Sequence, residues 1–129
     1  MLEGWRLFEP QFFMGARLER TSLRRPDGYR LTLVDEGDSL EARVTTDSGA
    51  RAASGRLGLS ALAVPDQIVT QREHQRRGLG HAIMVALSNA ALDRGFSEAV
   101  LLASEQGCRL YDALGWRVLT PFWTMFRPA

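Results

Sequence analysis

The residues with the clearest chemical potential lie at 75–80, where the sequence reads QRRGLG. Gly78 and Gly80 would let backbone N–H groups turn inward together and let a ligand approach the main chain closely. A helical pattern begins at the same place, and the start of a helix offers further N–H groups and the positive end of its dipole. The stretch therefore predicts an anion site, with a phosphate group as the expected ligand.

Two common phosphate loops do not fit this stretch. A nucleoside-triphosphate loop needs G-x-x-x-x-G-K-S/T, whereas this chain has no lysine, and His81 follows Gly80. A dinucleotide fingerprint needs G-x-G-x-x-G, but residue 83 is isoleucine. What remains is a glutamine, Gln75, three residues before Gly78. An ordinary glycine-rich turn is the structural alternative.

Three elements in order must position this loop. Residues 67–71 form a short strand before it, and residues 78–94 after it carry apolar side chains four apart on one helical face. Gly95 is expected to end that helix. The uninterrupted run AVLLA at 99–103 predicts a central strand buried on both faces and parallel to its neighbour. Ligands usually bind at the carboxyl ends of strands in such sheets.

The first half of the chain alternates apolar and polar residues, which predicts an antiparallel meander. Its expected strands lie in the runs 29–37, 39–46 and 51–64, with a hairpin loop at 36–38 and a break at Pro65-Asp66. A helix is expected at about 10–19, within a segment, 1–28, that is otherwise hard to interpret. Near the C-terminus we expect a helix over GCRLYDALG and a final pair of strands, WRVLT and FWTMFR, around Thr120-Pro121.

Length and composition bound the class of protein. At 129 residues the chain is expected to form one domain. A net charge of +1 argues against a nucleic-acid binder. The single cysteine, Cys108, suggests a reducing compartment. No apolar run reaches the ~20 residues of a membrane helix, and no signal peptide is visible, so we expect a cytoplasmic protein without membrane or nucleic-acid partners.

Two motifs together resemble a known superfamily. Gln75-x-x-Gly78-x-Gly80 at a strand-to-helix junction resembles the acetyl-CoA pyrophosphate loop of the GNAT N-acetyltransferases. The stretch RLYDALGW at 109–116 resembles their second signature, a tyrosine before an "lGW" turn. The resemblance is clear over about 64–127, weaker over 39–63 and absent over 1–28. It implies an α/β fold whose mixed, mostly antiparallel sheet has a central splayed parallel strand pair and a βαβ acetyl-CoA-binding core.

The resemblance implies acetyl-CoA as co-substrate, no metal ion, and direct attack of a primary amine on the thioester. Tyr111 occupies the position of the general acid, with a core tyrosine as the structural alternative. Asp66 is the carboxylate nearest to the position of the usual base, which falls near Val64. The implied cofactor-binding residues are Ile68, Val69, Thr70, Gln75, Arg76, Arg77, Gly78, Leu79, Gly80, His81 and Ser104.

The resemblance leaves the acceptor and the activity open. Trp5, Phe12, Phe13 and Trp123 are candidates for an acceptor pocket, although aromatic clusters more often form core. A catalytically idle acyl-CoA-binding sensor is the alternative function, since no base is evident. A homodimer through the segment FWTMFR is also possible, because an exposed final strand offers unpaired backbone groups.

Overall fold

The computed structural model describes residues 6–7, 11–24, 26–122 and 125–126. Their contacts divide the chain into two compact units, residues 17–100 and residues 1–16 with 101–129. The elements are β1 (Arg6–Leu7), β2 (Gln11–Arg17), β3 (Tyr29–Asp35), β4 (Ser39–Thr46), β5 (Arg51–Leu59), β6 (Ala63–Thr70), a 3-10 turn (Arg72–His74), α1 (Leu79–Asp93), β7 (Glu98–Ser104), α2 (Glu105–Ala113), β8 (Arg117–Phe122) and β9 (Met125–Phe126). The expectation of a single domain stays a prediction.

In the larger unit, strands β3 to β5 form the predicted antiparallel meander. The third strand, expected to continue to residue 64, ends at Leu59, and β6 follows it as a fourth antiparallel strand from Ala63. The hairpin between β3 and β4 is closed by the Gly37 N–H, which donates to Asp35 Oδ1 at 2.8 Å. The hairpin between β4 and β5 has Gly49 in the left-handed region, with φ of 91°. Alternation of buried Leu40, Ala42 and Val44 along β4 gives the sheet one apolar face.

The expected break at Pro65-Asp66 is wrong, because β6 begins at Ala63 and runs through Pro65. Pro65 stands opposite Leu57 of β5. Proline lacks a donor, so it is tolerated where a strand is not paired on both sides. The described ladder between β6 and its parallel neighbour β7 holds a single pair, Ala63 with Ala99. Pairing confined to the first residues of both strands is what a splayed parallel pair requires.

Helix α1 packs against β4, β5 and β6, with Leu79, Ile83 and Leu87 at most 1% exposed. It ends as predicted at Gly95, which has a φ of 90°. The N–H of Phe96 donates to the carbonyl of Ala91 at 3.0 Å, which gives the helix a Schellman end. Neither α1 nor the other described helix is long and apolar enough to cross a bilayer.

Strand β7 is parallel to β6 as predicted, but the expected burial on both faces is wrong. Ala99, Leu101 and Ala103 are at most 3% exposed, whereas Leu102 between them is 54% exposed. An apolar run shows that at least one face of a strand is covered, but it does not show whether the second face is covered too.

In the smaller unit, β2 pairs antiparallel with β8, so the helix expected at about 10–19 is wrong. Phe13 pairs with Thr120 and Gly15 with Arg117 in an antiparallel ladder. This pairing makes the segment a strand. Its composition agrees, because phenylalanine favours strands and Gly15 would weaken the interior of a helix. Met14 is fully buried within β2.

The expected division of the C-terminal segment into two strands at Thr120-Pro121 is also wrong. Strand β8 continues through Pro121 to Phe122, and β9 pairs antiparallel with β1. The aromatic candidates Trp5 and Trp123 lie outside the described residues, as do Thr124 and Arg127 of the segment FWTMFR. The homodimer through that segment stays a prediction.

Acid should weaken the fold partly through Asp35. Its Oδ1 accepts from Gly37 and its Oδ2 accepts from Arg94 at 2.6 Å. These bonds, the Gly37 N–H first and then Arg94, hold the pKa of Asp35 below its ordinary value of 3.8. The stabilisation is therefore present above the ordinary pKa and is lost as pH falls through the lower folded-state pKa.

We expect Asp35→Asn to lower the free energy of unfolding at neutral pH and to flatten its decline below about pH 4. Urea unfolding at several pH values measures both effects. Asp38→Asn is the matched control, because no described side-chain bond involves Asp38 in the same hairpin. Equal pH profiles for the two variants would contradict this account.

Candidate functional site

The candidate anion loop, residues 71–78, is tied at its start to the sheet. The N–H of Gln71 donates to the carbonyl of Ala52 at 2.8 Å. After the 3-10 turn, the side-chain amide of Gln75 donates through Nε2 to the backbone carbonyl of Thr70 at 3.4 Å. Gln75 of the sequence motif therefore contacts the end of β6, immediately before the loop.

Two left-handed residues shape the loop. Arg76 has a φ of 66° and Gly78 has a φ of 77°. Gly78 is the N-cap of α1 and provides no capping side chain. Across the described part of the chain, no hydrogen bond takes the N–H groups of residues 76–81. Alternating backbone conformations with free N–H groups at a helix start form a concave anion cradle.

The loop is open to a ligand. Residues 75–78 and His81 are exposed and Gly80 is half-buried. Leu79 is the exception, since it is 1% exposed and anchors the loop in the core below α1. A Cβ at Gly78 would meet nothing within 4 Å. Access from solvent is thus compatible with the predicted binding of a phosphate group.

A contact that the sequence did not indicate joins the loop to β3. The Tyr29 hydroxyl lies 2.8 Å from His74 Nδ1 and accepts from Arg77 at 2.9 Å. The rings of Tyr29 and His74 meet edge to face, with centroids 5.5 Å apart. No periodicity or motif connects residues 45 positions apart, so the pairing could not be found without the fold.

A β-bulge precedes the loop on β6. The register shifts between Ser54 and Arg56 of β5, and Gln67 opposite them has a φ of 52°. Beyond the bulge the register pairs Val69 with Ser54 and Thr70 with Ala53. Antiparallel ladders alternate, and the Gln71 N–H donates to its direct partner Ala52. The Thr70 N–H is therefore directed away from β5, while that of Val69 is directed toward it.

The side chains of this strand differ in exposure. Val69 is 50% exposed, whereas Ile68 and Thr70 are half-buried. Asp66, the predicted base, is exposed next to the bulge. Nothing in its surroundings tests that role, so it stays a prediction.

In the smaller unit, Ser104 is the N-cap of α2, and its Oγ accepts from the Gly107 N–H at 3.1 Å. The Ser104 side chain therefore satisfies one of the free N–H groups at the start of α2. Its predicted contact with the cofactor stays a prediction. Among the described residues there is no group of three or more His, Cys, Asp or Glu side chains that could hold a metal ion.

Tyr111 lies on α2 and is 9% exposed. Its ring lies 6.3 Å from that of Trp116, centroid to centroid. Burial raises the pKa of the Tyr111 hydroxyl above its ordinary value of 10.0. The phenol is therefore protonated throughout the neutral range, which a proton donor requires.

The meander, the βαβ core and the parallel strand pair together have the fold of the GCN5-related N-acetyltransferases. The chain is similar to a GCN5-related N-acetyltransferase from Kribbella flavida, with a TM-score of 0.74 and 15% identity over 98% of this chain and 61% of that one. No family model and no curated protein matches the sequence.

Two further solved structures are similar. A GCN5-related N-acetyltransferase-like protein from Streptococcus suis gives a TM-score of 0.76 and 17% identity, covering 98% of this chain and 64% of that one. A tandem GNAT protein from the clavulanic acid biosynthesis pathway gives 0.77 and 15%, covering 94% of this chain and 55% of that one. The chain thus spans 55–64% of the length of these three structures.

Proposed function

We propose that the protein is an N-acetyltransferase that transfers an acetyl group from acetyl-CoA to a primary amine of a small molecule or protein. The observation that carries the proposal is the open cradle at 75–80, built on a left-handed glycine at the start of a buried helix. The fold of known N-acetyltransferases supports the same conclusion.

The cradle would bind the pyrophosphate of acetyl-CoA mainly through main-chain N–H groups. Backbone donors suit this role because they are fixed by the fold and lose little entropy on binding. Arg76 is exposed beside them and adds positive charge. Arg77 is held at Tyr29, so its guanidinium has a fixed place at the edge of the cradle.

In the proposed reaction the amine nitrogen attacks the thioester carbonyl carbon, a C–N bond forms, and the C–S bond breaks. The Thr70 N–H, which is directed away from β5, is the proposed donor to the oxyanion. Tyr111 is proposed to give its proton to the departing thiolate, whose parent pKa is roughly 8.5. The amine loses a proton to Asp66 or to water.

Isothermal calorimetry with CoA tests the binding half of the proposal, and thiol release from acetyl-CoA across a panel of primary amines tests the chemistry. We expect both a heat of binding and amine-dependent thiol release. Binding without turnover on any amine would support an idle acyl-CoA sensor instead. No heat with folded protein would overturn both functions.

A further inference from the structure

Tyr29 holds two residues of the anion loop through one hydroxyl group. Arginine is a donor at every accessible pH, so the Tyr29 oxygen must accept from Arg77. The hydroxyl proton is then free to be donated to His74 Nδ1, 2.8 Å away. Both bonds form together when His74 is neutral and carries its proton on Nε2.

These two bonds lie on either side of the strained part of the loop. Arg76 occupies the left-handed region without being a glycine, and such conformations persist where the surroundings over-determine them. His74 precedes Arg76 by two residues, and Arg77 follows it directly. Tyr29 is the first residue of β3, so this strand fixes the loop from outside the strand–loop–helix unit.

The contact also decides where the Arg77 charge lies. Its Nη1 donates to the Tyr29 hydroxyl at 2.9 Å, and no acidic side chain pairs with Arg77 in the described ion pairs. Its positive charge is thus positioned by a neutral acceptor and remains uncompensated. An arginine held in this way suits an anionic ligand, because little side-chain freedom is lost when the ligand binds.

We propose that Tyr29 is a positioning residue for phosphate recognition, acting through Arg77 and His74 on the conformation of residues 74–78. The inference rests on the proposed acetyl-CoA site. It assigns to the first residue of an edge strand a share of the affinity for the phosphates of CoA, although Tyr29 lies outside both sequence motifs.

The test compares Tyr29→Phe, Arg77→Met and the double variant by calorimetry with CoA at fixed salt. Phenylalanine keeps the ring against His74 and removes only the hydroxyl. We expect Tyr29→Phe to weaken CoA binding by roughly 5–20-fold, the range of one or two lost bonds to charged or polar groups. In the Arg77→Met background the same change should have a much smaller effect, since coupled residues are not additive.

Arg30→Met is the matched control. It removes one positive charge from the adjacent residue of β3, and no described side-chain bond or ion pair involves Arg30. We expect it to bind CoA like the unchanged protein. Fully multiplicative losses in the double variant, or unchanged binding by Tyr29→Phe, would overturn the inference while leaving the proposed function intact.

Hydrogen exchange without ligand separates the two proposals further. The hydrogen-bonded amides of Gln71, His74 and Gln75 should exchange faster in Tyr29→Phe, while those of β4 and β5 keep their protection. Absence of CoA binding by the unchanged protein would overturn the proposed function and the phosphate role together. Unchanged exchange in the loop would overturn the positioning role alone.

Discussion

Replacement of Tyr111 by phenylalanine should lower kcat for thiol release roughly 100-fold, at the lower end of the range for loss of a general acid. The affinity for CoA should change little, because the phenol is proposed to act on the leaving sulfur and not on the phosphates. Initial rates at saturating amine, together with calorimetry, measure the two quantities.

The other tyrosine of the chain serves as the control. Tyr29→Phe should weaken CoA binding with a smaller effect on kcat, the opposite signature from Tyr111→Phe. The ring of Tyr111 packs near Trp116 and close to Gly107, and phenylalanine preserves both contacts. A Tyr111→Phe variant that folds and keeps full kcat would remove Tyr111 from the chemistry and favour water as the proton donor.

The burial of Tyr111 also predicts a dependence of stability on alkaline pH. Its pKa is raised, so the neutral phenol stabilises the folded state fully below the ordinary pKa of 10.0. That contribution is lost as pH rises through the higher folded-state pKa. The free energy of unfolding of Tyr111→Phe should therefore fall less steeply above pH 10 than that of the unchanged protein.

Gly55→Ala is expected to destabilise the fold by about 1–3 kcal/mol, the usual cost of overpacking. A Cβ at this position would lie 2.5 Å from Ile68 Cδ1 and 2.7 Å from Ile83 Cγ2. The first atom is at the end of a side chain and can move, but the second sits on the buried face of α1. Strand β5 or helix α1 must therefore shift, as urea unfolding should reveal.

Gly58→Ala on the same strand is the matched control, because a Cβ there would have its nearest atom, the Val64 carbonyl oxygen, at 3.7 Å. We expect it to be neutral or slightly stabilising, since alanine reduces the entropy of the unfolded chain. Adding Ile68→Val to Gly55→Ala should recover part of the loss by removing the nearest clashing atom. Equal stabilities for the two alanine variants would refute the packing account.

The part of the fold that is encoded locally could be predicted from the sequence. Helix α1 carries its apolar spacing, its glycine start and its glycine end within residues 78–95, and each signal acts over a few positions. The parallel partnership of β6 and β7 follows from the crossover helix that joins them. The anion loop follows from both, since it is the connection between that strand and that helix.

The remaining features depend on contacts distant in sequence. Residues 11–17 become a strand because β8 pairs with them, and nothing within the segment specifies that partner. Pro65 predicts the end of a strand when only the sequence is considered. The structure shows why it is tolerated within β6: the described pairing of β6 with β7 is limited to Ala63 and Ala99. The sequence indicates only that Tyr29 is a strand residue. Its contacts with His74 and Arg77 of the anion loop are seen only in the folded structure, where β3 lies beside that loop.

The end of α2 bears on how this segment could change over evolution. The carbonyl of Tyr111 accepts the N–H of Trp116 at 2.9 Å, across a left-handed Gly115. Tyr111 thus accepts the hydrogen bond that ends the helix through its main chain, and its side chain carries the phenol that we propose as the proton donor. Because the closure spans a fixed number of residues, an insertion or deletion between 111 and 116 would displace the phenol, whereas changes at exposed Asp112 and Ala113 would leave it in place. We therefore expect the segment from Tyr111 to Trp116 to keep its length among related proteins, while the exposed positions within it vary.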